Sequence, residues 1–96
     1  MGVEVRRVAR VPRGQVSAAT QALGKLIKEE RRRLGLSQIG LAAEAGISQA
    51  ALSYLEAGKF YPKIDTLERI AAVLGWQWEE LVIEARRRAA FGVAKI

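Results

Sequence analysis

Four glycines, Gly35, Gly46, Gly58 and Gly75, divide the chain beyond residue 17 into short pieces that carry apolar residues at helical spacing. In the first piece Leu23, Leu26, Ile27 and Leu34 recur at intervals of three, four and seven, with the run KEERRR on the opposite face. Leu41, Ala42 and Ala45 follow in the second piece, Leu52 and Leu55 in the third, and Ile64, Leu67, Ile70, Ala71 and Leu74 in the fourth. A fifth piece begins near Gln77 and aligns Trp78, Leu81, Val82 and Ala85 in one stripe. A glycine just past the last periodic residue is where a helix usually stops. Ser37 and Ser48 stand where N-caps are needed, and Asp65 and Glu68 stand at capping-box spacing for the fourth helix. From residue 18 to 90 nothing alternates as a strand does. The pattern predicts an all-α bundle of five short helices joined by tight turns.

Ninety-six residues support one small domain, and a composition that is half apolar and 27% charged is that of a globular chain. Cys and His are both absent. Disulfides, thiolate or imidazole metal ligands and imidazole acid-base chemistry are thereby excluded. Ser, Lys, Tyr and carboxylates remain without their usual activating partner, so neither an enzyme nor a cofactor is expected. No apolar run approaches the roughly 18 to 20 residues of a membrane span, and the N-terminus lacks a signal-peptide apolar region. A cytoplasmic protein without a membrane partner is the expectation.

The net charge of +6 and a pI near 10.3 point to an anionic partner, most often nucleic acid; a basic protein with no such partner is the competing reading. The distribution says more than the total. Residues 1–35 hold nine Lys or Arg against three Glu, whereas residues 36–58 hold none against two.

That neutral stretch has a specific spacing. With Gln38 as the first position, Ala42 is fifth, Gly46 ninth, Ile47 tenth, Leu52 fifteenth and Leu55 eighteenth. Ala42 lets two helices cross at close range. Gly46 can take the left-handed conformation of a three- to four-residue turn, and Ile47, Leu52 and Leu55 anchor the second helix. This is helix-turn-helix spacing, built from the second and third helices.

At these residues, together with RRRLGLSQ, LSYLEAGK, Pro62, TLERIAAVLG and EEL, the chain resembles the lambda-repressor-like family of DNA-binding domains, the Cro/repressor or XRE-type regulators. The resemblance covers roughly residues 23–81. It implies double-stranded DNA as partner and sequence-specific transcriptional regulation, most simply repression, as function. It implies that Ser48, Gln49, Ala50 and Tyr54 face bases and that Gln38, Ser53, Lys59 and Lys63 lie along the backbone. It further implies a partly buried ion pair between Arg31 and Glu56. The chemistry of the residues agrees, since Gln can pair with the N6/N7 edge of adenine and Ala can meet a thymine methyl. Tyr54 has two readings, base contact or packing.

The chain departs from the family pattern in three places. Gly40 replaces a helix former and removes half of a capping box, Gln77 stands where the fifth helix is usually capped, and Phe60 and Tyr61 make one loop aromatic. The aromatic pair is expected to cover the core, with contact to DNA or a second subunit as the other reading.

The organisation expected is a basic, partly mobile arm over residues 1–17, the helix-turn-helix domain over residues 18–84, and an extension of the fifth helix with a tail over residues 85–96. Arg6, Arg7, Arg10 and Arg13 of the arm suit a phosphate track or a minor groove, or form a solvated tail. Arg86, Arg87 and Arg88 read as a solvated face. A bundle this small is hard pressed to bury two Trp, and the resemblance implies pairing through the last helix. A homodimer through Trp78, Leu81, Val82 and Ala85 on a near-palindromic operator is therefore expected. The alternative function is an antitoxin-like or adaptor protein whose arm or tail binds a protein partner while the helix-turn-helix autoregulates its operon.

Overall fold

The computed structural model describes residues 16–94, with side chains through Phe91. The arm's residues 1–15 and the last two residues, which carry part of the expectations above, lie outside the described residues. Five helices follow one another: α1 (Ala18–Arg33), α2 (Gln38–Ala45), α3 (Gln49–Glu56), α4 (Ile64–Leu74) and α5 (Trp78–Ala94). No strand occurs among the described residues.

The first three helices start on serine caps. The Oγ atoms of Ser17, Ser37 and Ser48 accept from the amides of Thr20 (3.1 Å), Gly40 (2.9 Å) and Ala51 (3.0 Å), satisfying donors that a helix start leaves unpaired. The fourth differs from expectation. Its cap is Lys63, which makes no side-chain bond, and Asp65 already lies inside the first turn, where it accepts from the amide of Thr66. Asp65 therefore acts on the helix dipole and forms no capping box with Glu68. At α5 the back-reaching half of a capping box is present, because Glu80 accepts from the amide of Gln77 at 2.9 Å.

One core joins all five helices. Leu23, Leu26 and Ile27 of α1 meet Leu41, Ala42 and Ala45 of α2, Leu52 and Leu55 of α3, Leu67, Ile70, Ala71 and Leu74 of α4, and Leu81 and Ala85 of α5. Two apolar residues assigned to this core lie outside it: Leu34 is 42% and Ile64 57% exposed. Both sit at helix ends, Leu34 as the C-cap of α1 and Ile64 as the first residue of α4, where the helical period no longer dictates direction. The reverse correction applies to the proposed dimer stripe. Leu81 and Ala85 have no exposed surface, because α5 turns them onto the core of its own chain, while Trp78 and Val82 are half-buried against that core. Leu81 and Ala85 are therefore core residues and present nothing to a second subunit.

Helix α1 is the scaffold, packing on α3 and α5, while α4 closes over α2 and α5. Gly24 sets the first of these approaches. A methyl group there would collide with the carbonyl oxygen of Leu55 and stand 3.0 Å from that of Glu56 and 3.1 Å from the amide of Gly58. Only a residue without a Cβ lets α1 lie against the end of α3 this closely. On its other side α1 is tied to α5 by Arg88, which bonds Glu29 (2.7 Å) and Glu84 (2.9 Å). The indole of Trp76 adds a bond to Glu30 (3.0 Å).

Candidate nucleic-acid interface

Helices α2 and α3 are joined by a turn that Gly46 makes with φ 71°, and the amide of Ile47 returns to the carbonyl of Ala42 at 3.0 Å. Arg69 of α4 donates from Nε to the carbonyl of Ala45 at 2.8 Å, so the last turn of α2 is held from outside the motif as well. Sequence reasoning did not single out Arg69. Its spacing within α4 marks it only as a polar residue, and the 24 positions separating it from Ala45 carry no periodic signal.

With Leu52 and Leu55 buried, the opposite face of α3 is fixed. Ser48, Gln49, Ala50, Ser53 and Tyr54 are all exposed on it, Tyr54 by 57%. Tyr54 lies on the surface. The Oγ of Ser48 is occupied as a cap acceptor, which leaves its O–H to donate outward. Gln49 and Ser53 have no side-chain hydrogen bond within the described residues, so their donors and acceptors face solvent.

Behind this face lies a buried polar network. Arg31 donates from Nε to Glu56 Oε2 (2.6 Å), from Nη2 to Glu56 Oε1 (3.0 Å) and from Nη1 to the carbonyl of Leu36 (2.8 Å). Glu56 holds the Arg31 guanidinium above its already high ordinary pKa, mainly through those hydrogen bonds. Gln38 also donates from Nε2 to Glu56 Oε1 at 3.0 Å. One carboxylate, on the last residue of α3, thus ties α1 to the first residue of α2, and Arg31 adds the turn before α2. The amide group of Gln38 keeps one N–H, a donor placed at the start of α2.

Past α3 the amide of Lys59 closes on the carbonyl of Tyr54 (3.0 Å), and the side chains of Lys59 and Lys63 are exposed. Between them Phe60 and Tyr61 are 39% and 42% exposed and lie outside the buried cluster. Partial burial raises the pKa of the Tyr61 hydroxyl, opposed by the positive charge of Arg86. Arg87 and Arg88 are engaged with Glu84, and Arg86 is exposed. No cluster of potential metal ligands occurs among the described residues.

A helix-turn-helix family model matches residues 27–81, which includes α2, the turn, α3 and α4 whole. The chain belongs to this family, the lambda-repressor-like helix-turn-helix proteins. It is 36% identical over 62 residues to the immunity repressor protein of Bacillus phage phi105, a match covering 65% of this chain and 43% of that one. The chain spans about half the length of the curated relatives it matches. Among solved structures it is similar to the clp gene regulator ClgR from Corynebacterium glutamicum, with a TM-score of 0.74, 27% identity and coverage of 80% of this chain and 82% of that chain. It is also similar to SinR, a master regulator for biofilm formation solved in complex with DNA, with a TM-score of 0.60, 34% identity and coverage of 62% and 97%.

Proposed function

We propose that this helix-turn-helix protein is a sequence-specific DNA-binding transcriptional regulator that acts as a repressor, and that it binds as a homodimer to a near-palindromic operator. The observation that carries this reading is the outward face of α3, where neutral hydrogen-bonding groups, Ser48, Gln49 and Ser53 with Tyr54 one turn on, are exposed together. A neutral face suits direct readout, because a cation there would bind any phosphate, whereas Gln distinguishes base edges. Lys59 and Lys63 then supply sequence-independent attraction from the flank, and the spare N–H of Gln38 takes a phosphate at the start of α2. The similarity to a phage immunity repressor supports repression as the output.

With Leu81 and Ala85 used in the core, dimerisation is assigned to the outer side of α5, where Ile83 is 66% exposed beside the half-buried Val82. A two-fold dimer sets two α3 helices about 34 Å apart, one turn of duplex. Binding-site selection from random duplex DNA tests the whole: the reading predicts enrichment of an inverted repeat with half-sites about 10 base pairs apart. Recovery of unenriched DNA contradicts sequence readout, and a single unrepeated site contradicts the dimer. Ile83→Lys is expected to convert a sedimenting dimer to monomer.

A further inference from the structure

The described residues contain eleven Lys and Arg, and five of them, Arg31, Arg33, Arg69, Arg87 and Arg88, are paired with carboxylates. The other six have no carboxylate partner among the described residues, and four of these surround a single groove. Lys25, Lys28 and Arg32 line it from α1, and Lys59 lines it from the turn after α3. The groove is open and of about 1000 Å³. Two acids also reach it, but both are neutralised: Glu29 by Arg88 at 2.7 Å, and Glu56 by Arg31 at 2.6 Å. Each acid is thus matched by an arginine, Glu56 buried and Glu29 on the surface, whereas Lys25, Arg32 and Lys59 are exposed and Lys28 half-buried, with no carboxylate among the described residues to answer them.

We propose that this groove is a second phosphate track, which extends DNA contact from Lys59 onto α1 and lies outside the base-reading face. Residues 25, 28 and 32 fall on one side of α1 and span about 10 Å along it, at 1.5 Å per residue. That matches about three phosphates of one strand at 3.4 Å of axis each. The cations stand in a row and do not converge on a point, which fits a linear polyanion and not a small enclosed anion. The basic arm is excluded as occupant by its sign, since residues 1–15 hold four Arg and one Glu. The close approach at Gly24 keeps the α1 row in register with Lys59, because it seats α1 directly on the backbone of residues 55–58. The sequence gives no hint of this grouping: α1 alone shows a solvated charged face, and Lys59 joins it only through the fold.

This inference rests on the DNA-binding reading, and its test separates the two. The slope of log K against log salt is measured on duplex DNA of random sequence and on the selected operator. The proteins compared are wild type, the triple variant Lys25→Gln/Lys28→Gln/Arg32→Gln, and Arg86→Gln as a control cation that does not line the groove. Each phosphate contact contributes about 0.9 to that slope, so the triple variant is expected to lose roughly 2 to 3 units per bound protomer, about twice that for a bound dimer, on both DNAs. Arg86→Gln is expected to lose none, and the ranking of operator against single-base variants stays as in wild type. A slope unchanged in the triple variant overturns the track while leaving the sequence reading intact. A comparable loss in Arg86→Gln also overturns it, by showing an effect of net charge alone. Wild type that binds both DNAs equally removes sequence readout, and the slope comparison still decides the groove.

Discussion

Replacing Glu56 with Ala removes the acceptor of three hydrogen bonds and leaves the Arg31 guanidinium, whose side chain is 9% exposed, without a counter-charge. Breaking one partner of a buried pair costs about 3 to 5 kcal/mol, because the remaining charge stays desolvated. A domain of this size is stable by roughly 5 to 15 kcal/mol, so the single change removes a large part of the total. Replacing both partners with apolar groups of similar size behaves differently, since no charge is then left buried. Arg31→Met/Glu56→Leu is expected within about 1 kcal/mol of wild type or above it, and at least roughly 2 kcal/mol above Glu56→Ala. Urea unfolding followed by helical circular dichroism measures all three proteins. The double variant is still expected to bind DNA less tightly, because Gln38 loses the bond that orients it. A Glu56→Ala loss below about 1 kcal/mol, or a double variant no more stable than Glu56→Ala, refutes the argument that Glu56 is the common tie of three helices.

Two further outcomes follow from the packing. Gly24→Ala is expected to lower stability by about 2 kcal/mol in the same urea assay. Overpacking against rigid backbone at the upper end of its usual range, about 3 kcal/mol, outweighs the roughly 1 kcal/mol that Ala gains in a helix; a stabilised variant contradicts the close approach of α1 and α3. Glu84 is held at a pKa of about 2 against its ordinary 4.5, first by the hydrogen bond from Arg87 and then by that from Arg88. Its folded pKa is depressed, so its contribution is complete above pH 4.5 and fades as pH falls toward 2. Thermal melts of wild type and Glu84→Gln are expected to converge across that window and to keep a constant separation above it.

The bundle was legible because its helices are short, amphipathic and closed by glycine, so period and punctuation agree. The errors have physical causes. Leu34 and Ile64 fit the apolar period but stand at helix ends, where one residue of boundary shift redirects the side chain. For α5 the period identified an apolar stripe but did not say what covers it. Leu81 and Ala85 face α1 and α4 within the chain, and only the packing of α5 along α1 makes that visible. Gly24 went unremarked, because a sequence does not show that a carbonyl from residue 55 occupies the missing side chain's place. The outward face of α3 was named by the family resemblance, and the packing agrees with it: with Leu52 and Leu55 buried, Gln49 and Ser53 are exposed. The cations of α1 were visible individually, whereas their grouping with Lys59 is a property of the fold.

The central claim is that the neutral face of α3 reads bases. Affinities of wild type and Gln49→Ala for the selected operator and for every single-base variant of one half-site test it most directly. The account predicts that Gln49→Ala loses about 1 to 3 kcal/mol of discrimination at one base pair, an A·T pair in the wild-type preference, with the other positions and the salt slope unchanged. An unaltered preference at every position, or a uniform loss across all sequences, would contradict it.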